Sequence, residues 1–308
     1  MVLLDYLLPR LPNLITVFLG IFLEAGPFLL LGVLVSSALE VVVSAERLAG
    51  RFPRNGLLGL VSGVALGAAA PLCECGTVPI ARGCVAKGLP LPAAVGFLLA
   101  APVINPITVA ATYTAFKDDL RILALRLALG VGVALAVGSL FLLWPRDEPA
   151  LRLRGGPRGH HHDHDEAAGT PRWASAAVAL LDHAGHELSS LMVYLVAASL
   201  VASVLQVFLP RGDLLTLGQG PLLSVAVMML IAVVLSTCSS VDAFVALAFS
   251  TTFAPGAILA FLLISPVLNL KSGALVVGMF RPRVTVPLLS AATASVILAA
   301  LAVNYHLL

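Results

Sequence analysis

Charge is what this sequence has least of. Lys, Arg, Asp and Glu make up 11% of its 308 residues, against about 25% in ordinary soluble domains. So few charged side chains cannot clothe a water-soluble globule, and they equally exclude a disordered tail, a charged coiled coil or a nucleic-acid binder. Cysteine is scarce as well: four residues are too few for the disulfide framework of a small secreted domain. No Walker phosphate-binding loop occurs, so no ATPase is expected in this chain. Cys-x-x-Cys is absent, which weakens a redox reading. The first ten residues lack a basic stretch and no clear small-residue cleavage site follows, so no cleaved leader is expected. What is present is apolar: 59% hydrophobic residues and a mean hydropathy of +1.03. The expectation is an all-α, multi-pass integral membrane protein, with the lipid bilayer as its first partner.

A helix crossing the ~30 Å hydrocarbon core needs about 20 apolar residues. Ten segments are candidates: Leu11–Val43, Gly56–Leu72, Cys73–Gly88, Leu89–Phe116, Arg121–Trp144, Trp173–Leu209, Gly220–Thr237, Cys238–Phe253, Ala254–Phe280 and Val284–Tyr305. The first and sixth are longer than one perpendicular pass needs. Each is expected to be an interfacial helix followed by a span, the first turning near Gly26–Pro27. Cys73–Gly88 and Cys238–Phe253 are short and carry charge, which is tolerated only where protein or water surrounds the backbone. If both re-enter rather than cross, there are eight crossings. Between the two sets, Pro145–Arg172 carries ten of the chain's 34 charged residues and a histidine run. The expected organisation is therefore a first membrane unit (1–144), a His-rich cytoplasmic linker (145–172) and a second membrane unit (173–308).

The two units align. With an offset of 164, AAVGFLLAAPVIN (93–105) lies over AILAFLLISPVLN (257–269), with seven of thirteen positions identical. Matched Phe, Pro, Val and Asn exceed what shared Leu and Ala would give. The same offset sets Cys73-Glu74-Cys75 over Thr237-Cys238-Ser239, and a one-residue shift sets Glu24 over Glu187. Five elements per unit would start the second on the opposite side from the first, an inverted repeat. With the N-terminus outside, Arg47, Arg51, Arg54, the linker arginines, Arg281 and Arg283 fall inside, as the positive-inside rule requires. With eight crossings the repeats would be parallel and the bias less consistent.

Cys73-x-Cys75 is the sharpest chemical feature. Thiolates suit Cu(I) and Zn(II) and, by the same softness, trivalent arsenic. Cys84, on the same segment, and Cys238, on its repeat mate, can join them. The bland alternative is that cysteine is simply small and readily buried. Glu74, Arg82, Lys87, Asp242 and Lys271 lie in or near apolar stretches, where ionisable groups tend to face a cavity. Arg82 and Lys87 are long enough to snorkel; Glu74 and Asp242 are not, and either can carry a coupling proton. Pro102 and Pro266 fall near the middle of matched spans and are expected to break them. Asn105 and Asn269, beside the breaks, are expected to face a central binding site or merely to cap their own broken helices. His160, His161, His162 and His164 form a metal-attracting tract with interleaved aspartates. His183 and His186 share a helix face and can chelate one ion near the membrane surface. No bound cofactor is expected, beyond a transported or loop-held metal ion.

PLCECGTVPIARG (71–83), FLLAAPVINPITVAATYTAF (97–116) and SPVLNLKS (265–272) resemble the bacterial predicted-permease family that includes the organoarsenical efflux permease ArsP. Pro71, Cys73, Cys75, Gly76 and Pro79 occupy that family's Pro-x-Cys-x-Cys-Gly-x-x-Pro pattern; Ala101, Pro102, Asn105 and Pro106 occupy its Ala-Pro-x-x-Asn-Pro pattern. The resemblance implies a permease. Some members resemble copper/zinc efflux permeases and carry histidine-rich loops. The favoured function is secondary export of a soft metal or metalloid species, with an organoarsenical-specific permease as its narrower form. A membrane redox enzyme and a membrane subunit that docks a soluble metal-binding partner are the competitors. Broken apolar segments in both units favour transport.

Overall fold

The computed structural model describes residues 10–42, 53, 56–145, 150–151, 172–208 and 220–307. The first half folds as α1 (Leu11–Val42), α2 (Gly56–Ala69), α3 (Glu74–Ala86), α4 (Leu91–Ile104), α5 (Pro106–Ala115) and α6 (Leu120–Leu140). The second repeats that order as α7 (Arg172–Phe208), α8 (Pro221–Leu235), α9 (Asp242–Phe249), α10 (Pro255–Ile264), α11 (Leu270–Met279) and α12 (Pro282–Leu307). Among the described residues there is no strand, only an isolated bridge between Leu151 and Phe280. The protein is all-α and polytopic.

Among the described residues, five stretches are long and apolar enough to cross a membrane: Leu11–Ala38, Leu91–Ala115, Leu120–Leu143, Leu180–Phe208 and Pro282–Tyr305. Their outward side chains are apolar, as lipid requires; Leu23, Val193 and Leu298 are each more than 60% exposed. The turn expected near Gly26–Pro27 does not form. α1 runs unbroken through Pro27 for 32 residues, and α7 is likewise continuous over 37. Proline removes one backbone donor, a loss that helices in membranes absorb through neighbouring groups.

The centre is made of the two broken spans. All fourteen residues of α4 are buried, as are nine of the ten in α10. α4 is gripped by α2 and α6; α10 is gripped by the repeat mates α8 and α12. Close approach of α2 to α4 depends on small residues. A Cβ at Gly63 would strike the Ala93 carbonyl, and one at Gly67 would lie 2.8 Å from the Ala101 nitrogen. This is the small-xxx-small packing that replaces hydrophobic drive between helices in lipid.

Exchange between the halves is reciprocal: α3 packs on α11, and α9 packs on α5. α1 packs on its own mate α7, and α6 on its mate α12. Leu151, shortly beyond the end of α6, bridges Phe280, and Arg281 N–H donates to Ala150 O at 2.9 Å. The stretch that follows α6 thereby meets the start of α12. α3 and α9 rise only about 20 Å and 12 Å at 1.5 Å per residue, short of the ~30 Å core. Each follows a non-helical stretch, residues 70–73 and 236–241, the second beginning at Ser236 in the left-handed region (φ 48°). They are the discontinuous elements of the fold.

Candidate functional site

Cys73 is the N-cap of α3, with extended backbone at φ −88° and ψ 172°. Glu74 opens that helix, and Cys238 lies in the matching stretch before α9. Reciprocal packing brings these segments together. The Sγ atoms of Cys73 and Cys238 and a carboxylate oxygen of Glu74 all lie within 4.8 Å of one another, and all three residues are buried. Cys238 Sγ donates to Glu74 Oε2 at 4.0 Å. Glu74 and Cys238 are repeat equivalents, so a residue here touches its own mate, which places the cluster near the axis relating the halves.

Two sulfurs and one carboxylate oxygen form a donor set that suits a thiophilic ion. Of the Cys-x-Cys pair, only Cys73 joins the three-atom group. Cys75 is buried next to it but falls outside that group, because successive helical positions point in different directions. Cys84 is buried near the far end of α3. All four cysteines are free thiols. Glu74 Oε1 has no hydrogen-bond partner. It faces a narrow crevice between the halves, lined also by Val78 and Leu98 from the first and by Pro266, Ser272 and Leu288 from the second, with room for little more than a water.

Among the described residues, three ion pairs join the halves around this cluster. Arg126 holds Asp242 with both guanidinium arms, at 2.7 and 3.0 Å, and its Nη1 also donates to Thr112 Oγ1 at 2.9 Å. Both charges are essentially sealed from solvent. Arg82 Nη1 meets Glu187 Oε1 at 2.9 Å, and Lys271 Nζ lies 3.7 Å from Glu24 Oε2. Arg82 is thus engaged inside the protein rather than snorkelling. Asp242 is committed to Arg126 rather than open to the crevice. Arg126 escaped the sequence reading because a single interior arginine hardly alters the hydropathy of the apolar run 122–140. Its partner is 116 residues away.

Asn105 and Asn269 serve their own helix breaks. Asn105 Oδ1 accepts from Thr108 N–H at 2.8 Å, while its Nδ2 donates to Ala101 O at 2.7 Å and Leu72 O at 2.8 Å. Asn269 Oδ1 accepts from Ser272 N–H at 2.7 Å, and Nδ2 donates to Ser265 O at 2.8 Å. Leu270 N–H donates to Ser236 Oγ at 3.2 Å. Ser236 is the repeat equivalent of Leu72, so both halves tie the helix break to the non-helical stretch that leads to a cluster cysteine. His186 is exposed on α7. The His183 side chain and the tract His160, His161, His162 and His164 lie outside the described residues.

A family model described as a predicted permease, ArsP_1, matches residues 10–305. The chain belongs to this permease family. UPF0718 protein YcgR of Bacillus subtilis is 35% identical over 273 residues, covering 87% of this chain and 89% of the relative. A Streptococcus mutans protein, provisionally named a two-component membrane permease complex subunit, is 35% identical over 269 residues, covering 87% of each. UPF0718 protein YraQ of Escherichia coli is 25% identical over 128 residues, covering 42% of this chain and 36% of the relative. No solved structure matches. Family membership and the apolar helices together make this a multi-pass bacterial membrane permease.

Proposed function

We propose that this permease exports a soft metal or metalloid species by secondary transport, through a site between its two inverted repeats. The observation that carries the reading is the buried Cys73–Glu74–Cys238 cluster, assembled from both halves at their junction. Thiols bind thiophilic cargo, and the carboxylate supplies a harder oxygen donor. Discontinuous helices in corresponding positions of two repeats are where transporters of this architecture hold cargo. Asn105 and Asn269 fix those discontinuities. The histidine tract, on this reading, captures metal loosely before it reaches the membrane. The name of the Streptococcus relative supports a partner subunit for this chain.

The test is an efflux and resistance panel in a sensitive host, with zinc, copper, nickel, arsenite and methylarsenite. Export of at least one of these, lost in Cys73→Ser and in Cys238→Ser, is the expected result. Undiminished export in the double Cys73→Ser/Cys238→Ser variant would end the thiol-site reading.

A further inference from the structure

Packing between elements comes in matched pairs over most of the fold. α2 on α4 has its counterpart in α8 on α10, α4 on α6 in α10 on α12, and α3 on α11 in α9 on α5. The helices α1 and α7 break this match. α1 lies along α3, and α7 lies along α11. Among the described residues neither counterpart, α7 on α9 or α1 on α5, forms a packed interface. The side chains show the same asymmetry. Phe244 of α9 is 47% exposed, whereas its equivalent in α3, Ile80, is 6% exposed. Val241, Leu247 and Ile107 are exposed as well, against buried Thr77, Gly83 and Lys271. The two faces are also held differently. On α3 and α11, the covering helices are fastened by Arg82–Glu187 and Lys271–Glu24. On α5 and α9, Arg126 ties Thr112 to Asp242, where the equivalents Ser290, Val276 and Val78 carry no charge.

We infer that α1 and α7 are the moving part of this permease, and that the bare face of α5 and α9 is their second seat. The inference rests on the inverted-repeat reading proposed above. In such a protein, exchanging the conformations of the two repeats gives the state open to the other side of the membrane. The exchange turns α1 on α3 into α7 on α9, and α7 on α11 into α1 on α5. Phe244 and Leu247 then meet a helix instead of lipid. α3 and α11 lose their cover and are free to part around the crevice beside Glu74, which they help to line. The two states are unequal. After the exchange Glu24 meets Ala246 and Glu187 meets Ile107, so both fastening ion pairs are given up. The arrangement described here is therefore the resting one.

Disulfide trapping in membranes tests this, with the full-length protein carrying Cys75→Ser and Cys84→Ser. A Cβ built on Gly83 lies 3.7 Å from the Ser36 Cβ, within the ~3.5–4.5 Å that a disulfide needs. Ser36→Cys/Gly83→Cys should therefore link on oxidation with copper phenanthroline and hold the resting state. The equivalent pair, Ser199→Cys/Leu247→Cys, joins α7 to α9 and should link only through the exchange. Mass spectrometry of the linked peptides reads both. With all four cysteines present, each molecule should carry one link or the other. Glu24→Gln/Glu187→Gln removes the ion pairs of the resting state alone and should raise the 199–247 yield about threefold or more. If Gly83→Cys does not fold, Tyr194→Cys/Gly278→Cys, across the close contact of α7 with α11, takes the place of the first pair. No 199–247 link where the resting-state pair links, both links in one molecule, or a 199–247 yield indifferent to Glu24→Gln/Glu187→Gln overturns the inference. The links form without cargo, so an efflux panel in which no metal or metalloid is exported would remove the soft-metal reading and leave this inference standing on its cross-links.

Discussion

The two halves share a scaffold and differ in chemistry. Asn105 and Asn269 do the same work at equivalent breaks, and Leu72 and Ser236 make equivalent tethers to them. Of the charged groups around the cluster, only Glu24 and Glu187 are near-equivalents; their cationic partners and the Arg126–Asp242 pair have none. At the matched position, Lys271 faces Ile107, Asp242 faces Val78 and Arg126 faces Ser290. Cys73 has Thr237 as its mate, and Glu74 has Cys238. What is common satisfies the backbone where a helix is interrupted inside lipid, a requirement that both copies must meet. What differs supplies charge and sulfur, and one mixed site needs each of them only once. Duplication built the frame, and divergence furnished the site.

The sharpest way to break this comparison is through sulfur. Cys73→Ser and Cys238→Ser should each cut efflux by more than the roughly 10–100-fold that even outer-shell partners of a metal cost. Cys84→Ser, far along α3, should leave efflux close to wild type. A flux assay with these variants decides whether the site spans both halves; equal losses for Cys73→Ser and Cys84→Ser would count against the three-atom group. The next largest effect is on stability. Arg126→Met leaves Asp242 buried without its partner and should cost about 3–5 kcal/mol, while Arg126→Met/Asp242→Leu should recover much of it. Thermal unfolding in detergent reads both, and a double variant as unstable as the single one would contradict a simple pairwise role.

Smaller effects probe the shared scaffold. Asn105→Ala and Asn269→Ala each lose a helix cap, worth about 0.5–2 kcal/mol. Asn105→Ala should be the worse of the two, because its side chain also holds Leu72 O. Faster amide exchange at residues 70–76 in Asn105→Ala is the accompanying signature. The mildest perturbation is topological. A reporter fused at residue 160 should be active only in its cytoplasmic form, and one fused after residue 308 only in its periplasmic form. The same side for both would mean an even number of passes in the second half and parallel repeats. Deleting His160–His164 should leave maximal efflux measurable and change only its concentration dependence.

Much of the fold was legible because lipid simplifies the code. Long apolar runs become α1, α4–α5, α6, α7 and α12, and matched prolines with matched asparagines marked both breaks. The missed turn at Gly26–Pro27 shows the limit of that code, since proline signals a strained backbone but not whether neighbours relieve it. The site was half legible. The Cys73-x-Cys75 spacing drew attention to this segment, and the three-atom group takes Cys73 from it but not Cys75. Cys73 caps α3 while Cys75 lies inside it, and the second sulfur of the group comes from Cys238, 165 positions away in the chain but opposite in space. Arg126–Asp242 and Lys271–Glu24 were hidden for the same reason. Ion pairs between halves leave no local pattern, only isolated charges in apolar surroundings.

The contact between Glu74 and Cys238 has a consequence for how such a machine can work. A rotation that carries one half onto the other leaves points on its axis where they are. If the halves trade conformations to open first one membrane face and then the other, groups near that axis are exposed alternately without having to travel. On that scheme the helices would move past the cluster while the cluster kept its place, a fixed point shared by both access states.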